Sequence, residues 1–348
     1  MKRTFIGLLL ILSALYLKEG YSILTSDGTQ TCLFTGFLSD IAEEVVAIPL
    51  QKSKEHHIHY AKHVRKTGKH LFLICNETLY HFNRNGEFLQ AITRPEEMRV
   101  GGYIVDESTS QLIVLGNNND IFYYTFEGIL LEKKKLKDQL AGERICSLAI
   151  QNQEIWTTQE CVTYNPDTNQ TCIEVMAIKY NTDFRPLECK KIISSNLGRE
   201  ESLTTNYENE FCIDHNGALY LYAPPCSAEY LLQDTLYLLN QPRQQQADYI
   251  TKYPARTGNR FWIASYQRNP DPSKNYLFCH DTVSHKTWQL SDGFEDNYYH
   301  TGNIKDLHSI ELDNDNYYYC QSGNALTHSF PQEAKSGDLV LFMVKLKA

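Results

Sequence analysis

Histidine is the residue of this chain best suited to metal chemistry, because imidazole is the commonest protein ligand of metal ions. The candidates are His56, His57, His59 and His63 near the N-terminus, then His215, His280 and His300. Alternate residues of a strand point to opposite faces, so at most His57, His59 and His63 can share one face. A metal site there would indicate a metal-dependent hydrolase or lactonase acting in a central channel. The alternative is that these are solvated or core-edge histidines.

Motifs of common enzymes are absent from the sequence. It contains no GxSxG nucleophile elbow, no HExxH and no glycine-rich phosphate loop. Asp313–Asn316 has the residue types of a calcium loop, but the Gly and Glu that follow in an EF-hand are missing. A β-turn is the better interpretation. We therefore predict no catalytic residues, no metal and no cofactor.

The ten cysteines are compatible with export. None forms a CxxC pair, so the spacing of a zinc site is absent. A hairpin that turns at Asn165–Thr168 would place Cys161 directly opposite Cys172, within the range of a disulfide. A shift of one residue in the register would separate the two. We interpret most of the other cysteines as small buried residues on strands.

Tyrosine is abundant, with 23 in the chain, and several stand at the ends of predicted elements. Tyr298-Tyr299 and Tyr317–Tyr319 are examples. An exposed tyrosine offers a flat apolar face and a hydroxyl, which suits a sugar or a peptide. The competing interpretation is that strands favour tyrosine and that packed sheets interlock through aromatic rings.

The elements that must position these residues recur along the chain. Leu71–Ile92 has the pattern of three short strands joined by tight turns, which is an antiparallel meander. Leu112–Leu131 repeats this pattern, and Gly86 and Gly128 occupy matching turns 42 residues apart. A repeat of about 40–45 residues that contains only strands is the period of a propeller blade.

We therefore predict an all-β fold, a six-bladed β-propeller of four-stranded antiparallel blades, over residues 45–348. Six blades would average about 50 residues each, slightly more than is usual. Five blades with insertions and seven short blades are the alternatives. The strands Val45–Leu50 and Leu339–Leu346, from the two ends of the chain, are expected to pair and close the ring, because closure protects strand edges.

Residues 1–22 have the pattern of a secretory signal peptide. Lys2 and Arg3 precede the apolar run Phe5–Tyr16, and small residues stand at Gly20 and Ser22. The run is short for a membrane span, and no cysteine follows it directly, which disfavours a lipid anchor. We predict an exported protein, periplasmic, on the cell surface or secreted, with an N-terminal extension over residues 23–44.

The balance of acidic and basic residues indicates which classes of partner the chain can bind. The chain has 33 Lys and Arg against 42 Asp and Glu, a net charge of −9. A nucleic acid requires a basic face, so this class of partner is disfavoured. The basic cluster of Lys133–Lys135 and Lys137 follows a predicted strand. We interpret it as a solvated edge that discourages aggregation between strands.

Several segments together resemble the six-bladed β-propeller proteins abundant in Bacteroidota. The resemblance is carried by LSDIAEEVVAIPL at residues 38–50, by Leu71–Ile92, by Asp234–Tyr237 and by Gly337–Lys347. It implies an exported propeller related to NHL- and TolB-like propellers, commonly anchored as a lipoprotein. This chain departs from that pattern, since the lipobox cysteine is missing.

Function in a propeller is carried by loops and by the inner strands that line the central channel. We predict a binding module whose site lies at the channel mouth, with a glycan, a peptide or an envelope protein as the partner. A metal-dependent hydrolase is the competing hypothesis. The residues predicted for the binding site are His59, His63, Tyr103, Asp106, Tyr207 and His300.

Overall fold

A computed structural model of the chain describes residues 31–51, 57–92, 99–116, 119–136, 143–197, 210–213, 219–223, 234–238, 250–251, 256–257, 260–268, 271–310 and 315–348. The predicted signal peptide lies outside these residues. The described chain begins with strand β1 (Thr31–Leu33), the helical turn α1 (Leu38–Ile41) and strand β2 (Ala42–Pro49).

Three four-stranded antiparallel sheets follow, each built from strands that are consecutive in the chain. The first blade contains β3 (Lys62–Lys66), β4 (His70–Cys75), β5 (Thr78–Asn83) and β6 (Phe88–Ala91). The second contains β7 (Val100–Asp106), β8 (Gln111–Gly116), β9 (Asp120–Thr125) and β10 (Leu130–Lys135). The third contains β11 (Glu143–Gln151), β12 (Glu154–Asn165), β13 (Gln170–Tyr180) and β14 (Pro186–Leu197).

The second half of the chain continues this arrangement. The fourth blade contains β15 (Glu210–Ile213), β16 (Leu219–Ala223), β17 (Asp234–Leu238) and β18 (Ile250–Thr251). The fifth contains β19 (Arg256–Thr257), β20 (Phe261–Arg268), β21 (Asp271–Asp281) and β22 (Lys286–Leu290). The two-stranded hairpin of β23 (Phe294–Glu295) and β24 (Asn303–Ile304) then leads to β25 (His308–Ser309) and β26 (Asn316–Ser322). A 3-10 turn (Gly323–Leu326) and the helix α2 (Pro331–Ser336) connect β26 to the last strand, β27 (Leu339–Leu346).

The sixth blade is shared between the two ends of the chain. Its strand order is β2-β27-β26-β25, and β2 pairs antiparallel with β27, so that Val46 lies opposite Met343. The structure also contains a pairing that the sequence did not predict. Strand β1, inside the predicted N-terminal extension, pairs in parallel with β22 and adds a fifth strand to the fifth blade.

The hydrophobic core lies between neighbouring blades. Every residue of Leu71–Cys75 in β4 is buried, as is every residue of Leu112–Gly116 in β8. These strands are apolar without alternation because other sheets cover both of their faces. One cluster joins β4 to the closing strands through Leu71, Ile48 and Leu341. The helices of the described residues are short, and none has the length and apolarity needed to cross a bilayer.

Two glycines in matching turns give the first prediction. Gly86 has φ +87° and Gly128 has φ +76°, and a Cβ at Gly86 would lie 2.1 Å from the Pro49 carbonyl oxygen. At Gly128 the nearest atom would be Gln90 Nε2, at 3.2 Å, which is the end of a side chain and not backbone. We expect Gly86→Ala to lower the free energy of unfolding by about 3 kcal/mol, since backbone strain and a backbone clash add. Gly128→Ala should cost about 1 kcal/mol, for strain alone. Urea titrations of the two variants test this, and equal costs would contradict it.

Candidate functional site

Two predicted site residues, His63 and Tyr103, meet on the inner strands of neighbouring blades. The Tyr103 hydroxyl donates a hydrogen bond of 2.5 Å to the His63 carbonyl. The Arg65 guanidinium lies over the Tyr103 ring, 5.6 Å from its centroid. Tyr103 is buried, and His63 has φ +48° in an irregular part of β3. The pair therefore fastens the second blade to the first, and its tyrosine hydroxyl is engaged with main chain.

The other predicted site residues have different neighbours. His59 is exposed ahead of β3, and its ring stacks on His57 with centroids 6.3 Å apart. His300 packs against His328 with ring centroids 6.0 Å apart. Asp106 forms the turn after β7, at the opposite end of that strand from Val100. Tyr207 lies outside the described residues.

Asp106 has a structural role in its turn. Its carboxylate accepts hydrogen bonds from the Ser108 amide at 3.0 Å, the Ser108 hydroxyl at 2.6 Å and the Thr109 hydroxyl at 2.7 Å. Burial alone raises the pKa of Asp106, but these hydrogen bonds outweigh it and leave the pKa below its usual value. The carboxylate therefore stabilises the β7–β8 connection.

The histidines proposed as metal ligands are not gathered in the described part of the molecule. Among the residues that the structure describes, no three His, Cys, Asp or Glu side chains form a group that could hold a metal ion. His280 is buried, and its Nδ1 lies 2.8 Å from the Thr287 hydroxyl. His56 and His215 fall outside the described residues.

The tyrosine clusters belong to the packing of the fold. The Tyr298 hydroxyl donates to the Ala42 carbonyl at 3.0 Å, and the Tyr299 hydroxyl donates to the Val45 carbonyl at 3.1 Å. Both therefore hold the closing strand β2. Tyr317–Tyr319 are buried, and the Tyr319 ring stacks on Phe342 at 4.6 Å. Tyr317–Tyr319 therefore fit the packing interpretation, whereas Tyr298 keeps 37% of its surface exposed.

The predicted disulfide is not present. In the structure Asn165 pairs with Gln170, so Cys172 lies opposite Thr163 and Cys161 lies opposite Glu174. Neither cysteine forms a disulfide bond. The register differs by two residues because Asn165 ends its strand. Its side-chain oxygen accepts hydrogen bonds from the amides of Asp167 and Thr168, which moves the turn toward the C-terminus.

A cleft that the sequence did not predict lies between the second and third blades. Its volume is about 410 Å³, which is within the range of small-ligand pockets. One wall is the end of β10, with Lys134, Lys135 and Leu136. The other wall is the end of β13 and the turn that leads into β14, with Tyr180 and residues 183–186. The cleft therefore brings together segments of two consecutive blades that lie more than 40 residues apart in the sequence.

The turn between β13 and β14 is held rigidly against the second blade. The Asn181 side-chain oxygen accepts hydrogen bonds from the Asp183 amide at 3.1 Å and from the Arg185 amide at 2.8 Å. Phe184 has φ +58° and is buried, with its ring 6.4 Å from that of Tyr123 on β9. A left-handed aromatic residue is uncommon and persists only where the surroundings determine it.

Tyr123 completes this contact from the side of the second blade. Its hydroxyl donates to the Thr182 carbonyl at 3.3 Å. Burial, assisted by the carboxylates of Glu132 and Asp183, raises the pKa of Tyr123 to about 12, so the hydroxyl keeps its proton. The cleft is thus largely preformed.

The charges at the cleft are predominantly positive. Lys134 pairs with Glu132 at 3.4 Å and its ammonium lies 4.8 Å from the centroid of the Tyr123 ring. Within the described part of the chain, the Lys135 and Arg185 side chains form no ion pair, and both are exposed. Asp183 contributes one exposed carboxylate. Two free cations therefore stand at the mouth of a partly apolar cleft.

The sequence indicated one of the two walls of this cleft, the one that contains the lysine cluster. The lysine cluster was recognised, and the interpretation as a solvated edge fits Lys133, which pairs with Asp120 at 2.6 Å. The neighbouring Lys135 instead lines the cleft. The sequence did not indicate the other wall, because nothing in a single sequence shows that Arg185 and Lys135 line the same cleft.

Successive four-stranded sheets, with a final sheet made from both ends of the chain, define the class of this protein as a β-propeller. The chain belongs to the DUF5128 family of six-bladed β-propellers, whose model matches residues 20–237. This confirms the predicted fold class. The relation to NHL- and TolB-like propellers stays a prediction.

A solved structure supports the fold. A Bacteroides fragilis protein whose name describes it as exported is similar over 92% of this chain and 100% of its own, with 13% identity and a TM-score of 0.57. The WD40 domain of Neurospora crassa Pan2 is similar over 82% of this chain and 75% of its own, with 8% identity and a TM-score of 0.44. The chain matches no curated protein.

Proposed function

We propose that this protein is an exported propeller that binds a ligand or a protein partner in the cleft between its second and third blades. The observation that carries the proposal is the cleft itself. It is preformed by a left-handed Phe184, it is partly apolar, and it presents the free cations Lys135 and Arg185. Binding sites of small molecules are typically preformed concave surfaces with a few polar groups.

Export is supported by two independent observations. The first is the pattern of residues 1–22, with a basic start, an apolar run and small residues at its end. The second is the similarity of the fold to the Bacteroides fragilis protein, which is named as exported. An exported binding propeller would meet glycans, peptides and envelope proteins, which are the partners predicted from the sequence.

This proposal moves the predicted binding site away from the channel mouth. The Tyr103 hydroxyl, which was expected to face a ligand, is bonded to the His63 carbonyl. Asp106 is engaged by Ser108 and Thr109. At the cleft, by contrast, charged side chains are available to a ligand.

The test is a screen of the purified mature chain against arrays of glycans and peptides, followed by hydrogen–deuterium exchange with each ligand found. We expect a bound ligand to protect amides of residues 130–136 and 180–187 from exchange. The matching turn of the first blade, residues 83–87, should be unchanged and serves as an internal control. Protection at residues 57–66 would instead place the site at the channel, and the absence of any ligand would contradict a binding function.

A further inference from the structure

We infer that the cleft selects a carboxylate-bearing sugar, such as a hexuronic acid residue of an acidic saccharide. This inference rests on the proposed binding function and adds the chemical class of the ligand. Lys134, Lys135 and Arg185 line the cleft against the single carboxylate of Asp183. Since Lys134 is already paired with Glu132, the free charges are those of Lys135, Arg185 and Asp183, with an excess of one positive charge.

The free cations are suited to a carboxylate. A guanidinium donates two parallel hydrogen bonds to the two oxygens of a carboxylate, and an ammonium adds a third donor. Arg185, on the β13–β14 turn, and Lys135, on β10, both line the cleft. A carboxylate held between them would bridge the second and third blades.

The main chain of the turn argues against two other classes of ligand. The amides of Asp183 and Arg185 donate to the Asn181 side chain, and the Phe184 amide donates to the Asn181 carbonyl at 2.9 Å. These amides are therefore not available to cradle a phosphate or to pair with the backbone of an extended peptide. Recognition in this cleft must be carried by side chains.

The remaining lining suits a sugar ring. The exposed Pro186, with the accessible edges of the largely buried Leu136 and Phe184, provides apolar surface against which the C–H groups of a pyranose can pack. The Asp183 carboxylate can accept hydrogen bonds from sugar hydroxyls. An amino acid zwitterion would also satisfy both signs of charge, but the positive excess favours a ligand with a net negative charge.

The test compares ligands first and variants second. We expect digalacturonic acid to bind by isothermal titration calorimetry, and its methyl ester, which keeps the shape but loses the charge, to bind at least about tenfold more weakly. The affinity for the acid should also fall as sodium chloride is raised, because the contact is exposed. Equal binding of acid and ester would overturn the inference and leave the proposed binding function standing.

Variants that each remove one charge test whether the acid binds in this cleft. Lys135→Gln and Arg185→Gln should each weaken binding of the acid by about tenfold. The control is Arg84→Gln, an exposed arginine in the matching turn of the first blade, which should leave affinity unchanged. If Arg84→Gln weakens binding as much as Arg185→Gln does, the attraction is a general surface effect and the inference fails.

The variant Asp183→Asn distinguishes a ligand with a net negative charge from a zwitterionic ligand. For an acidic sugar the affinity should stay within about threefold or improve, because an amide still accepts hydrogen bonds and the repulsion is gone. A strong loss of affinity, together with binding of free amino acids, would identify a zwitterionic ligand and overturn the inference. Binding only of neutral sugars or acidic peptides would overturn it as well. If no probe and no array ligand binds, the proposed function fails with it.

Discussion

Replacing Asp281 by alanine is expected to lower the free energy of unfolding by about 3 kcal/mol, the low end for a buried ion pair, because the Arg260 side chain is 23% exposed. The Asp281 side chain is only 4% exposed. Arg260 donates to both of its oxygens, each at 2.8 Å, in the bidentate geometry that gives the strongest carboxylate contacts. The amide of Val283 and the hydroxyl of Ser284 donate to the same carboxylate, at 2.9 Å and 2.7 Å.

The loss of stability is large because the variant leaves the donors that surround Asp281 without their acceptor. Burial alone raises the pKa of Asp281, but Arg260 and Ser284 outweigh it and hold the pKa well below its usual range. Alanine would leave the Arg260 guanidinium without its carboxylate and the turn at residues 282–285 without its acceptor. Because the folded pKa is depressed, this stability is present above the ordinary pKa of an aspartate and is lost as the pH falls below it.

The measurement is a urea titration at neutral pH, with Asp292→Ala as the matched control. Asp292 is 67% exposed and lies 3.8 Å from Lys305, which is itself exposed. An exposed pair of this kind contributes at most about 1 kcal/mol. Similar losses for the two variants would show that the Asp281 pair is not the anchor of the fifth blade that its geometry indicates.

Lowering the pH is expected to destabilise the wild-type protein through His81, and the loss should be smaller in a His81→Gln variant. His81 is buried between the first two blades, with its Nε2 2.8 Å from His70 Nδ1 and its ring stacked on Phe72 at 4.4 Å. Burial, and then the neighbouring His70, lower the pKa of His81 to about 4. The main chain at Phe126 and the Glu127 carboxylate act in the opposite direction but are outweighed.

The direction in which the free energy of unfolding changes with pH follows from proton binding. The unfolded chain takes up this proton near the ordinary histidine pKa of 6.5, whereas the folded chain takes it up only near 4. Protons therefore favour unfolding, and the stability that is complete above pH 6.5 is lost progressively between pH 6.5 and pH 4. The full difference corresponds to about 3 kcal/mol.

The measurement is the free energy of unfolding at several pH values between 7.5 and 4.5, for wild type and variant. Comparing the two curves cancels the carboxylates that titrate in both proteins. His59→Gln is the matched control, because His59 is exposed and should leave the wild-type slope unchanged. Parallel curves for wild type and His81→Gln would show that His81 is not held neutral in the folded protein.

Local pattern was sufficient to predict the blades. A strand in a meander pairs with the next strand along the chain, so the apolar runs and the turns between them contain most of the needed information. The strand Leu339–Leu346 occurs with the predicted bounds, and Gly86 and Gly128 both have the positive φ that their turns require. The same reasoning failed at Cys161 and Cys172, where a side chain of the turn, that of Asn165, set the register.

The amino-acid sequence by itself determined a chain of strand-only repeats, an apolar surface on the strands and a signal-like start. Only the tertiary structure decided which side chains meet across blades. The Tyr298 and Tyr299 hydroxyls bind the main chain of β2, β1 joins the fifth blade, and Lys135 and Arg185 line one cleft. The physical reason is that hydrogen bonding within a meander is local, whereas contacts between blades depend on how whole sheets pack, which no short stretch of sequence encodes.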